Sequence, residues 1–184
     1  MRSRVCFFRE TAVRSEVGLP FGLARARPQE EKLVDVWLQH PLGFLERACA
    51  VSPEFKAELL KVLDASHSRI SLIMYSDEVV PGNVLSDTNL RKGQCLYWAI
   101  REMGWPNLCQ ELAWFTIACI RSSVCAEIPG GVSTVMKEAL RLFMGSPNGP
   151  DLRKGVMVDL GGDRRLVHGD LAVLIQDERG HKYV

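Results

Sequence analysis

The sequence lacks the signatures of several common functional classes. It has no Gly-rich phosphate loop, no H-E-x-x-H metal motif and no G-x-S-x-G nucleophile elbow. Its six cysteines form no C-x-x-C pair, and no Cys/His spacing is typical of a zinc site. The formal net charge of +1 gives no overall basic field that would favour nucleic acid. These absences count against P-loop, Rossmann, zinc-dependent and nucleophile-elbow proteins.

Two further absences concern location. The sequence has no secretory signal pattern and no apolar run long enough to cross a bilayer. We therefore expect a reduced intracellular protein without a membrane partner, in which the cysteines act as small buried hydrophobic residues. The 184 residues suit one domain, and the hydrophobic content of 47% is enough for a substantial core.

The first part of the chain is locally basic and has no sustained periodicity. Six arginines fall within residues 1–28 against two glutamates, so we predict a disordered basic arm there. An Arg-rich, acid-poor start is also typical of a transit peptide. Residues 29–69 are predicted to be helical, with one helix over 30–38 and another that begins at Ser52-Pro53-Glu54.

Two apolar runs in the remaining segment, residues 70–184, each end on an Asp-Glu pair. Residues 70–76 lead into Asp77 and Glu78, and residues 171–175 lead through Gln176 into Asp177 and Glu178. An acid at the end of a buried strand is solvated, paired in a salt bridge, or bound to a metal, because an unpartnered buried carboxylate is costly. If the two runs are neighbouring strands, their terminal acids meet at one edge of a sheet.

Paired carboxylates repel unless a cation lies between them, and hard oxygen ligands suit Mg²⁺ or Mn²⁺. We therefore predict a metal site with Asp77 and Asp177 as catalytic ligands and Glu78 as a further ligand. The predicted element order is a strand with an acid, strands over 94–102 and 113–124, a helix over 132–144, a hairpin around 161–163 and a last strand. A ribonuclease H-like domain follows that order, so we expect an α/β fold with an incomplete ribonuclease H-like mixed sheet and N-terminal helices.

Other residues allow different interpretations. Arg91 and Lys92 follow the acidic turn and are candidate phosphate contacts for DNA or RNA. A small α/β hydrolase that uses Ser122 or Cys125 requires a histidine within hydrogen-bonding reach of one of them. The sequence does not indicate an oligomeric state.

Several short strings recur in a known pattern: YSDEVVPGN at 75–83, YW at 97–98, EMG at 102–104, AWFT at 113–116 and LIQD at 174–177. Through these strings, and most of all through YSDEVVPGN, the segment from about residue 42 onwards resembles a large multicopy family of uncharacterised proteins found in algal genomes. More distantly, it is similar to transposase-derived proteins with a ribonuclease H-like core, in which a strand ending in Tyr-x-Asp-Asp or Tyr-x-Asp-Glu supplies the first acid.

This resemblance implies a mobile-element origin and metal-dependent cleavage or strand transfer of nucleic acid, with a nuclear location. It carries over Asp77 and, less directly, Asp177. Relatives continue beyond the His-Lys-Tyr segment at 181–183, and the third acid is expected in that continuation. The expected molecule is thus a truncated transposase-derived domain, either active or inactive, or a non-catalytic remnant that binds nucleic acid or protein.

Overall fold

A computed structural model describes residues 12–17, 34–80, 92–145 and 150–176. Within these ranges the chain forms a mixed α/β structure with seven strands in two sheets and five α-helices. Asp177, Glu178 and Arg91 lie outside the described residues.

A two-stranded antiparallel sheet precedes the helices. It joins β1 (Ala12–Val17) to β2 (Val34–Gln39), with Ala12 opposite Gln39. The prediction of a helix over 30–38 is therefore wrong from Val34 onwards, and that of a disordered arm is wrong for residues 12–17. Val36 and Leu38 are buried whereas Trp37 is 64% exposed. This alternation has the period of a strand, and the pairing with β1 satisfies the backbone groups along one edge of β2.

Two helices with side-chain caps follow. In α1 (Pro41–Val51), Nδ1 of His40 accepts a hydrogen bond from the Gly43 amide at 3.3 Å. In α2 (Pro53–Ala65), Ser52 Oγ accepts from the Phe55 amide at 3.2 Å. The predicted start at Ser52-Pro53-Glu54 is confirmed, because a serine cap and a first-turn proline both match the unsatisfied amides of a helix N-terminus.

The main sheet has five strands in the order β5-β4-β3-β7-β6. Its members are β3 (Arg69–Val79), β4 (Gly93–Ile100), β5 (Phe115–Arg121), β6 (Val156–Leu160) and β7 (Asp163–Gln176). β3 and β7 are parallel and the other neighbours are antiparallel. The apolar runs 70–76 and 171–175 are thus neighbouring strands of one sheet.

Several boundaries differ from the sequence prediction. β4 ends at Ile100, where a 3-10 turn over Arg101–Met103 leads into Gly104 with a positive φ of 78° and then α3 (Trp105–Leu108). The strand predicted over 113–124 ends at Arg121, and α4 (Ser122–Glu127) follows it. The helix predicted over 132–144 is confirmed as α5 (Gly131–Met144).

The core lies on one face of the main sheet. Even-numbered residues of β3 and β4 pack with buried residues of α1, α2 and α5, among them Ile70, Leu72, Met74, Leu96, Trp98, Leu45, Leu59, Leu63, Ala139 and Phe143. Odd-numbered residues of the same strands lie on the opposite side, because side chains alternate along a strand. We call that side the second face; it includes Tyr75, Asp77, Cys95 and Tyr97.

The hairpin predicted around 161–163 is confirmed between β6 and β7, and its turn has two residues because Asp163 already pairs with Leu160. Gly161 and Gly162 occupy it with φ values of 65° and 92°. Two positive φ values are typical of the primed turns that match the twist of paired strands. Lys56 of α2 anchors the turn, since its Nζ donates to the Gly161 carbonyl at 2.8 Å and lies 2.9 Å from Asp163.

Candidate functional site

Asp77 and Glu78 lie inside β3 rather than at its end, because the strand continues to Val79. In the antiparallel register Asp77 lies opposite Cys95 and Glu78 lies opposite Gln94. The two carboxylates therefore belong to opposite faces of the sheet. This geometry separates the two predicted ligands, since a regular strand does not direct neighbouring side chains to one ion.

Glu78 is held by contacts within the protein. Its Oε2 lies 3.2 Å from Lys92 Nζ, and its Oε1 accepts a hydrogen bond from Ser122 Oγ at 3.2 Å. Side-chain exposures of 27% for Glu78 and 30% for Lys92 place the pair partly out of solvent. An acid beside a buried strand was expected to be solvated, paired in a salt bridge or bound to a metal, and Glu78 is paired in a salt bridge.

Asp77 is half-buried on the second face, in a row that crosses three strands. It pairs with Cys95 of β4, which pairs in turn with Cys119 of β5. The Sγ atoms of the two cysteines are 3.0 Å apart. No sequence pattern pointed to this row, since its three members are distant along the chain.

The second predicted acid, Asp177, lies outside the described residues, but the strand that leads to it is described. In the parallel register Ser76 pairs with Gln176, and a shift of one residue occurs between Leu72 and Ile73. The chain therefore reaches Asp77 and Asp177 immediately after two paired residues. Their assignment as ligands stays a prediction.

Within the described ranges, no three or more His, Cys, Asp and Glu side chains are grouped so that they could hold a metal ion. Because Asp177 is not among these residues, Mg²⁺ or Mn²⁺ binding also stays a prediction. The predicted phosphate contact at Lys92 has an internal partner in Glu78, and Arg91 lies outside the described residues.

Among the described residues, neither candidate nucleophile of the hydrolase alternative is activated by a histidine. Ser122 Oγ donates its hydrogen bond to Glu78 rather than to a histidine. Cys125 is buried in the core, and burial raises the pKa of its thiol to about 11. A thiol with this pKa stays protonated at neutral pH and is a poor nucleophile.

Other residues of the strings that carry the family resemblance have structural roles. Glu102 Oε2 accepts a hydrogen bond from the Ser71 amide at 2.8 Å, where β3 begins. The Trp114 indole Nε1 donates to the Leu108 carbonyl at 2.9 Å, which ties the start of β5 to α3. Trp98 is 1% exposed and packs against Phe143, with 5.2 Å between ring centroids. Packing and hydrogen bonding within the fold therefore explain the presence of these three residues, and no ligand is needed to explain them.

Three aromatic side chains gather on the second face. Tyr75 and Tyr97 stack with 6.0 Å between their ring centroids, and Trp114 meets Tyr75 edge-on at 6.1 Å. All three are half-buried. Alternation along β3 and β4 places the tyrosines on the side opposite the core, a signal that was present in the sequence but was masked by the apolar residues on both faces.

A cavity of about 530 Å³ lies on the helical side, where α1 and α2 meet the turns that precede β5. Its lining includes Phe44, Phe55, Met103 and Phe115. None of the predicted site residues lines it.

None of the helices in the described part of the chain has the length and apolar composition needed to cross a bilayer. The chain matches no protein-family model, and no curated protein matches it.

Proposed function

We propose that this chain is a metal-dependent nucleic-acid-processing domain of transposase ancestry, built on a ribonuclease H-like plan, in which Asp77 and Asp177 bind Mg²⁺ or Mn²⁺. The observation that supports the proposal is the parallel register of β3 and β7, which pairs Ser76 with Gln176. Neighbouring strands lie about 4.8 Å apart. A pairing extended by one residue would bring the two carboxylates within reach of one ion.

The donor set suits the proposed ions. Mg²⁺ and Mn²⁺ prefer carboxylate oxygens and keep several waters when few protein ligands are present. A bound ion of this kind lowers the pKa of a coordinated water and stabilises the leaving oxygen of a phosphodiester. Asp77 would hold the ion from the second face, whereas Glu78 stays with Lys92 and Ser122 on the opposite side.

The test uses Mn²⁺ binding to the full chain, followed by the electron paramagnetic resonance signal of the free ion. Asp77→Asn and Asp177→Asn should each weaken binding at least about tenfold, because each removes one charged ligand. Glu78→Gln is the matched control, since it alters the neighbouring carboxylate on the opposite face and should leave the affinity unchanged. Absence of binding at millimolar Mn²⁺, or unchanged affinity in Asp77→Asn, would overturn the proposal.

Activity is tested separately with fluorescent single-stranded and duplex oligonucleotides in the presence of Mn²⁺. Cleavage that depends on both aspartates supports a working enzyme. Metal binding without cleavage supports the inactive, transposase-derived form of the same site.

The aromatic group on the second face favours a second candidate, a non-catalytic module that binds single-stranded nucleic acid. Tyr75, Tyr97 and Trp114 lie together there, and Arg121 follows Cys119 by two residues on the same face of β5. Bases stack on aromatic side chains, and each stacking contact is worth about 1–3 kcal/mol. Arg121 is exposed and supplies a positive charge for the phosphate backbone.

Fluorescence anisotropy with a labelled single-stranded oligonucleotide separates the two candidates. Trp114→Ala should weaken binding about 5- to 150-fold, which is the loss of one stacking contact. Trp105→Ala is the control, because Trp105 is 78% exposed and lies in α3 rather than on the second face. Binding that survives Asp77→Asn and falls with salt supports the module, whereas binding unaffected by Trp114→Ala would exclude it.

A further inference from the structure

We propose that Cys95 and Cys119 form a reversible disulfide across β4 and β5, and that Cys119 is the thiol that reacts first with a small-molecule disulfide. The two residues are directly opposite in the antiparallel register. Their Sγ atoms lie 3.0 Å apart, with the Cys95 thiol donating to Cys119. Cys95 lies opposite the proposed metal ligand Asp77, but formation of the disulfide requires no bound metal.

The backbone geometry suits a disulfide. Opposed residues in an antiparallel pair have Cα atoms about 4.5–5.5 Å apart. Disulfides span Cα distances of about 4.4–6.8 Å and have a bond of about 2.05 Å. The sulfur atoms therefore need to approach by roughly 1 Å, which small side-chain rotations supply without separating the strands.

The two thiols differ in accessibility. Cys119 is exposed, whereas Cys95 is 5% exposed. An external disulfide can thus reach Cys119, whereas the buried Cys95 is shielded from it until a mixed disulfide forms at Cys119 beside it.

The reaction balances with a low-molecular-weight disulfide such as oxidised glutathione. The Cys119 thiolate attacks one glutathione sulfur, which forms a mixed disulfide and releases one glutathione thiolate. Cys95 then loses its proton to solvent and attacks Cys119 Sγ, which breaks the mixed disulfide and releases the second glutathione. Two protein thiols are oxidised, and one glutathione disulfide is reduced to two thiols.

The other described cysteines are placed differently. Cys49 and Cys125 are buried, and burial raises the pKa of each thiol to about 11. Cys109 is exposed. Cys95 and Cys119 are the described pair whose sulfur atoms lie within hydrogen-bonding distance.

The experiment exposes the native full-length chain to glutathione buffers of increasing oxidised fraction. Free thiols are then blocked with a maleimide, and the linked peptides are mapped by mass spectrometry. The Cys95–Cys119 link should form at an oxidised glutathione concentration at least about tenfold below that which modifies Cys109. Free thiols at both positions while Cys109 is modified, or a first link between any other pair, would overturn the proposal.

Single variants test the order of the two steps. Cys95→Ser should accumulate a mixed disulfide at Cys119, because no resolving thiol remains, whereas Cys119→Ser should form neither product at Cys95. Cys109→Ser is the control and should give the wild-type link. A mixed disulfide that accumulates at Cys95 in Cys119→Ser would contradict the assigned order.

A second readout is thermal stability, which does not depend on any variant. The link closes a loop between positions 24 apart in the chain and fastens β5 to β4. The oxidised protein should melt roughly 5–10 °C above the reduced protein. An unchanged or lower melting temperature in the linked protein would overturn the proposal, because the link would then distort the native sheet.

Discussion

Asp77 and Glu78 follow each other in β3 but lie on opposite faces of the main sheet. Glu78 forms an ion pair with Lys92 and accepts a hydrogen bond from Ser122. Asp77 lies opposite Cys95, which in turn lies opposite Cys119. Because side chains alternate along β3, the two carboxylates have different surroundings. Glu78 connects β3 to Ser122 at the start of α4, whereas the Asp77 carboxylate lies on the second face, where the proposed metal ion would bind.

The Glu78–Lys92 ion pair should contribute measurably to stability. Lys92→Met leaves the partly buried carboxylate without its cation, so we expect a loss of about 1–2 kcal/mol in the free energy of unfolding. Urea unfolding at low salt measures this loss. The difference from wild type should shrink in high salt, because mobile ions screen the charge that the wild-type pair neutralises.

A surface pair provides the control for that prediction. Lys61 and Glu58 are also 3.2 Å apart, but the Lys61 side chain is 76% exposed. Lys61→Met should cost no more than about 0.5 kcal/mol. Equal losses in the two variants would show that the burial of the Glu78 pair has no energetic effect.

The β6–β7 turn allows a paired glycine test. Gly161 and Gly162 both have positive φ, but a Cβ at Gly161 would lie 3.0 Å from the Cys49 carbonyl oxygen, whereas a Cβ at Gly162 meets nothing within 4 Å. Gly162→Ala should cost about 1–2 kcal/mol through backbone strain alone. Gly161→Ala should cost at least about 1 kcal/mol more, because α1 must also shift. Thermal unfolding of both variants measures the difference, and equal losses would contradict close packing of α1 on the turn.

Local chemistry made several elements predictable from sequence. Ser52 with Pro53 marks a helix start, Gly161-Gly162 marks a tight hairpin, and the apolar spacing of residues 132–144 marks a helix. Each signal depends on backbone requirements within a few residues, so it does not depend on what packs against it.

The features that the sequence analysis missed depend on pairing between residues that are distant along the chain. The apolar residues around Val34–Gln39 fit one turn of helix as well as a strand, and the pairing with β1 decides between them. The Cys95–Cys119 contact depends on the register of β4 and β5, which shifts by one residue between Leu96 and Tyr97. A one-residue shift changes which side chains face each other, and no sequence pattern specifies it.

Acid should weaken the anchor of the β6–β7 turn. The hydrogen bond and charge of Lys56 lower the pKa of Asp163 below its ordinary value of 3.8. The unfolded chain therefore takes up this proton first, so the stabilising effect is present above the ordinary pKa and is lost as the pH falls through the lowered one. Asp163→Asn should flatten the fall in melting temperature between about pH 5 and pH 3. Lys56→Met should flatten it similarly, and a full wild-type slope in either variant would contradict the role of the pair.

His40 should make α1 sensitive to pH in a higher range. Burial lowers the pKa of its imidazole from the ordinary 6.5, and Glu46 opposes that shift to a smaller extent. The neutral ring accepts the Gly43 amide through Nδ1, whereas a protonated ring has no lone pair at that nitrogen. As the pH falls, the unfolded chain binds the proton first. The stabilising effect is therefore present above pH 6.5 and is lost as the pH falls through the lowered pKa.

Replacement of His40 by asparagine isolates this effect, because asparagine keeps a cap acceptor and does not titrate. Wild type should lose about 1 kcal/mol relative to His40→Asn between about pH 7.5 and pH 5, measured by urea unfolding. His40→Ala should instead lose about 1 kcal/mol at the higher pH, since it has no cap at all. If His40→Asn keeps the pH dependence of wild type, protonation of this cap does not control the stability of α1.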